Sequence, residues 1–545
     1  MNKPICCTNW GLGVLIAGAL VLAWANRFVQ DDAFISFQYA RNLAEGHGLV
    51  WNVGERVEGY TNFLWTVCLT PAWLWGFDPA GFAYALSLAA TGVTLLMSYR
   101  LTLALGARRE AGLLCVFLLA TNYSFSCYGT GGLETQFVTA WVLTAAWLLM
   151  RPYGDRRSLW TMVAAGVASA CAVMTRMDAV ILLGPFWAWQ AVGAWRQKAG
   201  RQWWALITGG LAATVPIVLW LVWRHSYYGA WVPNTFFIKS AGVSWLRGTY
   251  YVGLFYLVYG FWLVVPACMR GLPRLVVTPV AVCAGAGWLL WNVYVVVIGG
   301  DFMEFRMMIP ALPLAFACVA GGVVHGCRTQ LGRVLLVVAL VMCSGFHGKM
   351  QIVYPGIQSI RELKAYFVEW QEVAGMLSRH LGEGRKAVKI AVTAAGIIPY
   401  DTRCPTLDLL GLNDRGIARS GERVESVNRW LGNRPGHVRI ADRETVRARG
   451  VNLLLNKPWV TDANGWAGRS ARDICETWSL GVGSDRMRVH AVRVRYVVRP
   501  DEVAPCVVAW PLGDGRYLMS VYVCPSPIIE TAILRCHAQV IGERR

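Results

Sequence analysis

Apolar runs long enough to cross a bilayer recur from residue 11 to about residue 347, and then stop. A hydrocarbon core about 30 Å thick takes about 17 to 25 apolar residues as one helix. Inside it every backbone N–H and C=O must be satisfied without water, so repeated runs of this kind commit the chain to a helical bundle. The spans read as 11–28, 80–99, 111–127, 132–150, 159–175, 179–195, 203–223, 250–268, 274–298, 307–327 and 332–347. Charged residues make up only 15% of the chain, against about 25% in soluble domains. Residues 348–545 have ordinary soluble composition. The expected fold class is a polytopic α-helical membrane protein of about 11 transmembrane helices plus interfacial helices, with a C-terminal soluble α/β domain. The expected division is 1–347, with a first outer loop at 29–79, and 348–545.

The net charge of +19 invites a nucleic-acid reading, but its placement argues otherwise. Residues 1–347 hold 22 Lys/Arg and 12 Asp/Glu, and the basic residues crowd into short loops: "RLTLALGARRE", "RPYGDRRS", "RQKAGRQ", "MRGLPR" and "CRTQLGR". Such loops are cytoplasmic by the positive-inside rule. The alternation holds if "NFLWTVCLTPAWLWGF", 62–77, does not span; its Pro71 and aromatic residues suit an interfacial or re-entrant helix. The A-x-A pattern of "VLAWAN" is also that of a signal-peptidase site, and cleavage there would leave the remaining topology unchanged.

This topology sorts the carboxylates. Of the 12, only Glu110 and Asp155 fall in cytoplasmic loops. The other ten map to the outer side, which marks it as the working face.

"QDDAFISFQYARNLAEGHG" reads as a surface helix entered through Asp31 or Asp32 as N-cap, with Phe34, Phe37 and Leu43 at helical spacing and glycines at its end. One aspartate is explained by capping, and the other is a candidate base. "GERVEGYTNFLW" brings Glu58, Tyr60 and Asn62 close to the bilayer. "GGLET" puts Glu134 at the start of a span. "TRMDA" sets Arg176 beside Asp178, which reads as a pair that fixes helix packing. "RHSYYGAWVPNTFFIK" carries Arg224, His225, Asn234 and Lys239. "GGDFMEFR" carries Asp301, Glu304 and Arg306, and as a helix would place the two carboxylates on one face. Cations among carboxylates near the headgroup level fit a phosphate-bearing ligand.

"DDAFISFQYARNLAEGHGLVWNVGERVEGYTNFLW", "GGLET", "VPNTFFIK", "GGDFMEFRMMIP" and "LDLLGLNDRGIAR" resemble the bacterial GT-C glycosyltransferases, and more closely the terminal arabinofuranosyltransferase family of the mycobacterial cell wall. The resemblance runs from about 28 to about 440; Gln38 and Met177 depart from it, where arginine and proline are expected. It implies a polyprenyl-phosphate sugar donor, arabinofuranose first, and an aspartate of the first outer loop, Asp31 or Asp32, as general base. Lys239, Arg306, Arg224 and His225 are the candidate donor-phosphate residues. Glu58, Tyr60, Asn62, Glu134, Asn234, Asp301 and Glu304 are candidates for sugar or acceptor, and Arg176 and Asp178 for support.

The acceptor is expected to be a polysaccharide, glycolipid or glycoprotein (a pilin-like protein or lipopolysaccharide among them), and the location the bacterial inner membrane, working on the periplasmic side. A different class, a lipid-linked sugar transporter, would keep its polar groups at the bilayer midplane on interrupted helices. No CxxC or His-rich spacing forms a metal site, and a monophosphate donor does not in principle demand a divalent cation. The C-terminal part reads as a helix at 357–381 and strands at "KAVKIAV", "VNLLLN", "RMRVHAVRVRYVV" and "RYLMSVYVC". "LDLLGLNDRG" is either turn chemistry or an acceptor-binding loop. Five cysteines there, Cys404, Cys475, Cys506, Cys524 and Cys536, allow at most two disulfides.

Overall fold

The computed structural model describes residues 9–151, 157–197, 200–239, 244–275, 277–352, 354–424, 431, 434–479 and 506–542. The strand expected at 486–498 lies outside the described residues. The chain forms two compact units: one of Met1–Val29, Thr61–Trp231 and Trp245–Val353, the other of Gln30–Tyr60, Val232–Ser244 and Tyr354–Arg545. Residues 30–60 of the first outer loop and the 232–244 segment thus fold with the C-terminal residues.

The first unit is helical. Among the described residues, Pro79–Ala104, Gly200–Tyr228, Pro279–Val297, Arg306–Gly326 and Gln330–Met350 are long and apolar enough to cross a membrane. The pair Trp245–Val258 and Phe261–Arg274 would add a sixth, but it is bent by 82°. A single straight span was expected at 250–268. Gly260 breaks it: its φ of +68° is left-handed, and a Cβ there would lie 2.9 Å from Cys343 Sγ. The 62–77 segment forms two short helices, Phe63–Leu69 and Pro71–Leu74, together about 18 Å long at 1.5 Å per residue, too short to cross.

Helices in this unit meet through small residues. A Cβ on Gly166 would lie 2.1 Å from Gly209 O, so the Arg157–Thr175 and Gly200–Tyr228 helices touch backbone to backbone. Several hydroxyls inside the apolar helices bond the carbonyl four residues back, as at Thr91, Ser98, Thr139 and Ser169. Val218, Leu219, Leu289, Val293, Leu335 and Met342 are exposed, as side chains facing acyl chains would be.

The second unit is built on a mixed sheet. Its strands are β1 (Ile390–Val392), β2 (Thr406–Asp408), β3 (Glu422–Arg423), β4 (Arg439–Ile440), β5 (Leu453–Asp462), β6 (Cys506–Gly513), β7 (Arg516–Tyr522) and β8 (Gln539–Ile541). The main sheet runs β2-β1-β5-β7-β6-β8, while β3 and β4 form a separate antiparallel pair. β1 is parallel to β2 and β5, and the rest are antiparallel. The Ile360–Leu381 helix starts at a Ser359/Glu362 capping box and buries Leu363, Trp370, Val373 and Leu377 at helical spacing. None of the five C-terminal cysteines is in a disulfide.

The Asp31–Ala44 helix belongs to this unit. Phe34, expected on a membrane-surface face, packs instead against Tyr400 and Phe367, with ring centroids 5.3 and 6.0 Å away. Arg41 lies over the Tyr400 ring and donates to its carbonyl at 2.8 Å.

Candidate functional site

The candidate residues gather in two clusters, one in each unit. In the second unit neither aspartate caps the Asp31–Ala44 helix as expected. Gln30 is the N-cap, its side chain accepting from the Asp32 N–H. Both aspartates lie in the first turn, where the helix dipole favours negative charge.

The two differ in setting. Asp31 is 8% exposed, whereas Asp32 is half-buried. Asp31 Oδ1 accepts the backbone N–H of Ile397 at 2.8 Å, at the start of the Ile397–Thr402 helix. The approach demands glycine at 396, where a Cβ would lie 1.9 Å from Asp31 O. Burial pushes the Asp31 pKa up to about 7; the Ile397 bond opposes the shift, while the charges of Asp32 and Asp408 add to it.

Behind this helix the chain is tied into a knot of hydrogen bonds. The Tyr39 hydroxyl accepts from Gly59 N at 2.8 Å and donates to Val57 O at 2.7 Å, with Asn413 Oδ1 at 3.1 Å. Asn413 donates its backbone and side-chain N–H groups to Asp408 Oδ2 at 2.8 and 3.1 Å. Asp408 is fully buried; burial raises its pKa to about 6 even though these bonds oppose it.

Asn234 donates its amide to the carbonyls of Gly411, Leu412 and Asp414 at 2.8, 3.0 and 3.2 Å, and its N–H to Glu58 O at 2.9 Å. "VPN", "EGY" and "LDLLGLND" are therefore one structural assembly, with Asn234 holding the loop in place. Glu58 and Tyr60 are buried within this unit, and Tyr60 packs edge-on against Tyr39. Lys239 is exposed at the end of its helix. Gln38, at the departure from the family pattern, donates to Trp51 O at 3.0 Å and accepts from Arg41.

In the first unit, Arg176 is the hub. It bonds Glu134 Oε1 at 2.8 Å and grips Asp178 with two N–H groups at 3.0 and 2.5 Å. Asn62 donates to the other Glu134 oxygen at 3.0 Å, and Tyr294 donates to Asp178 at 2.9 Å. The expected Arg176–Asp178 pairing is present, and Glu134 and Asn62 are drawn into it.

"GGDFMEFR" does not form the helix that would have put its two carboxylates on one face. Gly299, Gly300 and Phe305 all take positive φ, and a 3₁₀ turn begins only at Arg306. Asp301 and Glu304 therefore do not share a helix face. Asp301 accepts from Arg306 Nε at 2.8 Å, and Glu304 lies 2.8 Å from His347 Nε2. A left-handed conformation at a buried phenylalanine costs on the order of 1–3 kcal/mol and persists only where the surroundings impose it. His347 was missed because its partner lies 43 residues away and a single histidine in an apolar run carries no pattern.

Arg224 is buried, over the Trp220 ring and bonded to Trp231 O at 3.3 Å, with the sulfur of Met177, the second departure from the family pattern, also at 3.3 Å. His225 is exposed and stacks on Trp231.

Comparison with solved structures defines the class of fold. The chain is similar to ArnT from Cupriavidus metallidurans in the apo state, at 12% identity and TM-score 0.53, over 94% of this chain and 98% of that one. It is also similar to ArnT bound to undecaprenyl phosphate (13%, TM-score 0.50, 73% and 86%) and to the arabinofuranosyltransferase AftD from Mycobacteria (13%, TM-score 0.51, 82% and 35%). These likenesses show a shared fold, the GT-C type.

Sequence comparison is narrower. The chain is 29% identical over 335 residues to the terminal β-(1→2)-arabinofuranosyltransferase of Mycobacterium tuberculosis, covering 53% of this chain and 52% of that protein. It is 27% identical over 347 residues to the enzyme of the same name from Corynebacterium glutamicum, covering 56% and 49%. The chain thus matches about half the length of these curated relatives. Residues 358–497 match a family model described as a domain of unknown function, DUF8728.

Proposed function

We propose that the protein is a membrane glycosyltransferase that moves a sugar, arabinofuranose first, from a polyprenyl-phosphate donor to a cell-envelope acceptor. The proposal includes eleven spans in the bacterial inner membrane and catalysis on the periplasmic side. The observation that carries it is Asp31, a carboxylate with a pKa of about 7 at a helix N-terminus, joined to the likeness to arabinofuranosyltransferases.

A base is most effective when its pKa lies near the working pH. In the proposed step Asp31 takes the proton of the acceptor hydroxyl, whose oxygen bonds to the anomeric carbon. The bond from that carbon to the phosphate oxygen breaks, and the lipid monophosphate leaves with the electron pair. Lys239, in the same unit as Asp31, stabilises the charge growing on that phosphate. Glu58, Tyr60 and Asn234 hold the surrounding frame.

The test is an assay of the purified protein with synthetic polyprenyl-phosphate sugars and an arabinan acceptor. Lipid phosphate released with the arabinofuranose donor supports the reading, release with another sugar alone corrects the donor, and release with none contradicts it.

A further inference from the structure

The first unit holds a second charged feature, independent of the glycosyltransfer reading. It lies at the helix ends that carry the short basic loops. Arg108, Arg270, Arg274, His325, Arg328 and Arg333 line a cavity of about 540 Å³. Close packing assembles it: a Cβ on Gly326 would lie 1.9 Å from Ala267 O, so the Phe261–Leu275 helix meets the Leu312–Gly326 helix almost backbone to backbone. That contact brings Arg270 and Arg274 beside Arg328.

Five guanidinium groups around one cavity repel one another. Among the described residues, Glu110 is the one carboxylate within 4.0 Å of any of them, 3.8 Å from Arg333 Nη1. Arg274 and Arg333 otherwise donate to the carbonyls of His325 and Cys327 at 3.5 and 3.4 Å. Arg108, Arg270, Arg274 and Arg328 have no carboxylate partner among the described residues. Guanidinium forks match phosphate oxygens in pairs, and the volume exceeds what a single small anion fills.

We propose that this cavity binds phosphate groups, carried by an anionic phospholipid or by a soluble diphosphate. The surroundings favour the lipid: Met269, Leu272, Leu331, Val334 and Leu335, on the same helices, are exposed apolar side chains along which acyl chains can lie. Basic pockets at helix ends hold anionic headgroups in this way.

The test uses the full-length protein in phosphatidylcholine nanodiscs, with cardiolipin or inorganic pyrophosphate added and thermal unfolding as the readout. A midpoint raised by cardiolipin identifies the lipid source, and one raised by pyrophosphate the soluble source. The Arg270→Gln/Arg274→Gln variant should unfold at an unchanged or higher temperature without ligand, and need at least tenfold more ligand for half its shift. Glu110→Gln, which removes the competing carboxylate, should need less ligand than the wild type. No response of the wild type to either ligand, or equal half-saturation in wild type and both variants, would overturn the proposal.

Discussion

Asp31 and Ile397 are 366 positions apart in the chain, yet the carboxylate of one accepts the backbone N–H of the other at 2.8 Å. Within the second unit, this bond ties residues 30–60 to the C-terminal residues. Burial around Asp31 pushes its pKa up to about 7 against the pull of this bond, as suits the proposed base.

The first consequence concerns the pH dependence of transfer. Asp31 must be ionised to act as base, so kcat/KM should rise with pH through about 7. Asp32→Asn removes a negative charge that raises the Asp31 pKa and should move this limb to lower pH. Asp31→Asn should abolish transfer with the protein still inserted. A limb that stays in place in Asp32→Asn would show that the neighbouring charge does not tune the base.

Stability should depend on the same group with a definite sign. The folded pKa lies above the value of about 3.9 for a free aspartate. Its stabilising contribution is therefore complete below about pH 4 and lost as pH rises through about 7. Asp31→Asn should remove that decline, on the order of 4 kcal/mol at about 1.4 kcal/mol per pKa unit. The smaller slope due to Asp408, with its pKa of about 6, should remain. Unfolding midpoints measured from pH 4 to 8 check both parts.

Gly59 is held by a steric requirement. A Cβ there would lie 1.9 Å from Asn413 Oδ1 and 3.0 Å from Leu412 O. Gly59→Ala should destabilise the protein by about 1–3 kcal/mol, as overpacking does. Combined with Asn413→Ala, the loss should be smaller than the sum of the two single losses. Thermal unfolding of the four forms of this cycle measures the coupling.

Arg176 neutralises two carboxylates, Glu134 and Asp178, and is itself 14% exposed. Arg176→Met should cost about 3–5 kcal/mol because it leaves buried charge uncompensated. Reduced yield of folded protein in detergent and a lowered unfolding midpoint are the expected readouts. Arg306→Gln, which loses the bond to Asp301, should lower the unfolding midpoint by less than Arg176→Met does.

What the sequence made legible follows the range of the interactions. The Asp31–Ala44 helix and its end at Gly46 are local, as is the Arg176–Asp178 pair, two residues apart. The N-cap was misread for a tertiary reason: Asp31 turns to the Ile397 N–H, and Gln30 reaches over the Asp32 N–H instead. The membership of the first loop in the C-terminal unit also rests on distant contacts. Tyr39–Asn413 and Asn52–Thr406 join positions 374 and 354 residues apart, which no periodicity records. The break at Gly260 was hidden because the residues on both sides are equally apolar. β6 was missed, although "CVVAW" lies directly before β7 and pairs with it as a hairpin.

In the proposed reaction this chain breaks the bond between a sugar and a polyprenyl phosphate. The most direct measurement follows labelled arabinose from decaprenyl-phosphate arabinofuranose to a synthetic arabinan, using purified wild type and Asp31→Asn at pH 8. The wild type should give label in the acceptor and an equal amount of decaprenyl phosphate, and the variant neither. Equal transfer by both proteins would remove Asp31 from the chemistry, and no transfer by the wild type from any lipid-linked sugar would overturn the proposed glycosyltransfer.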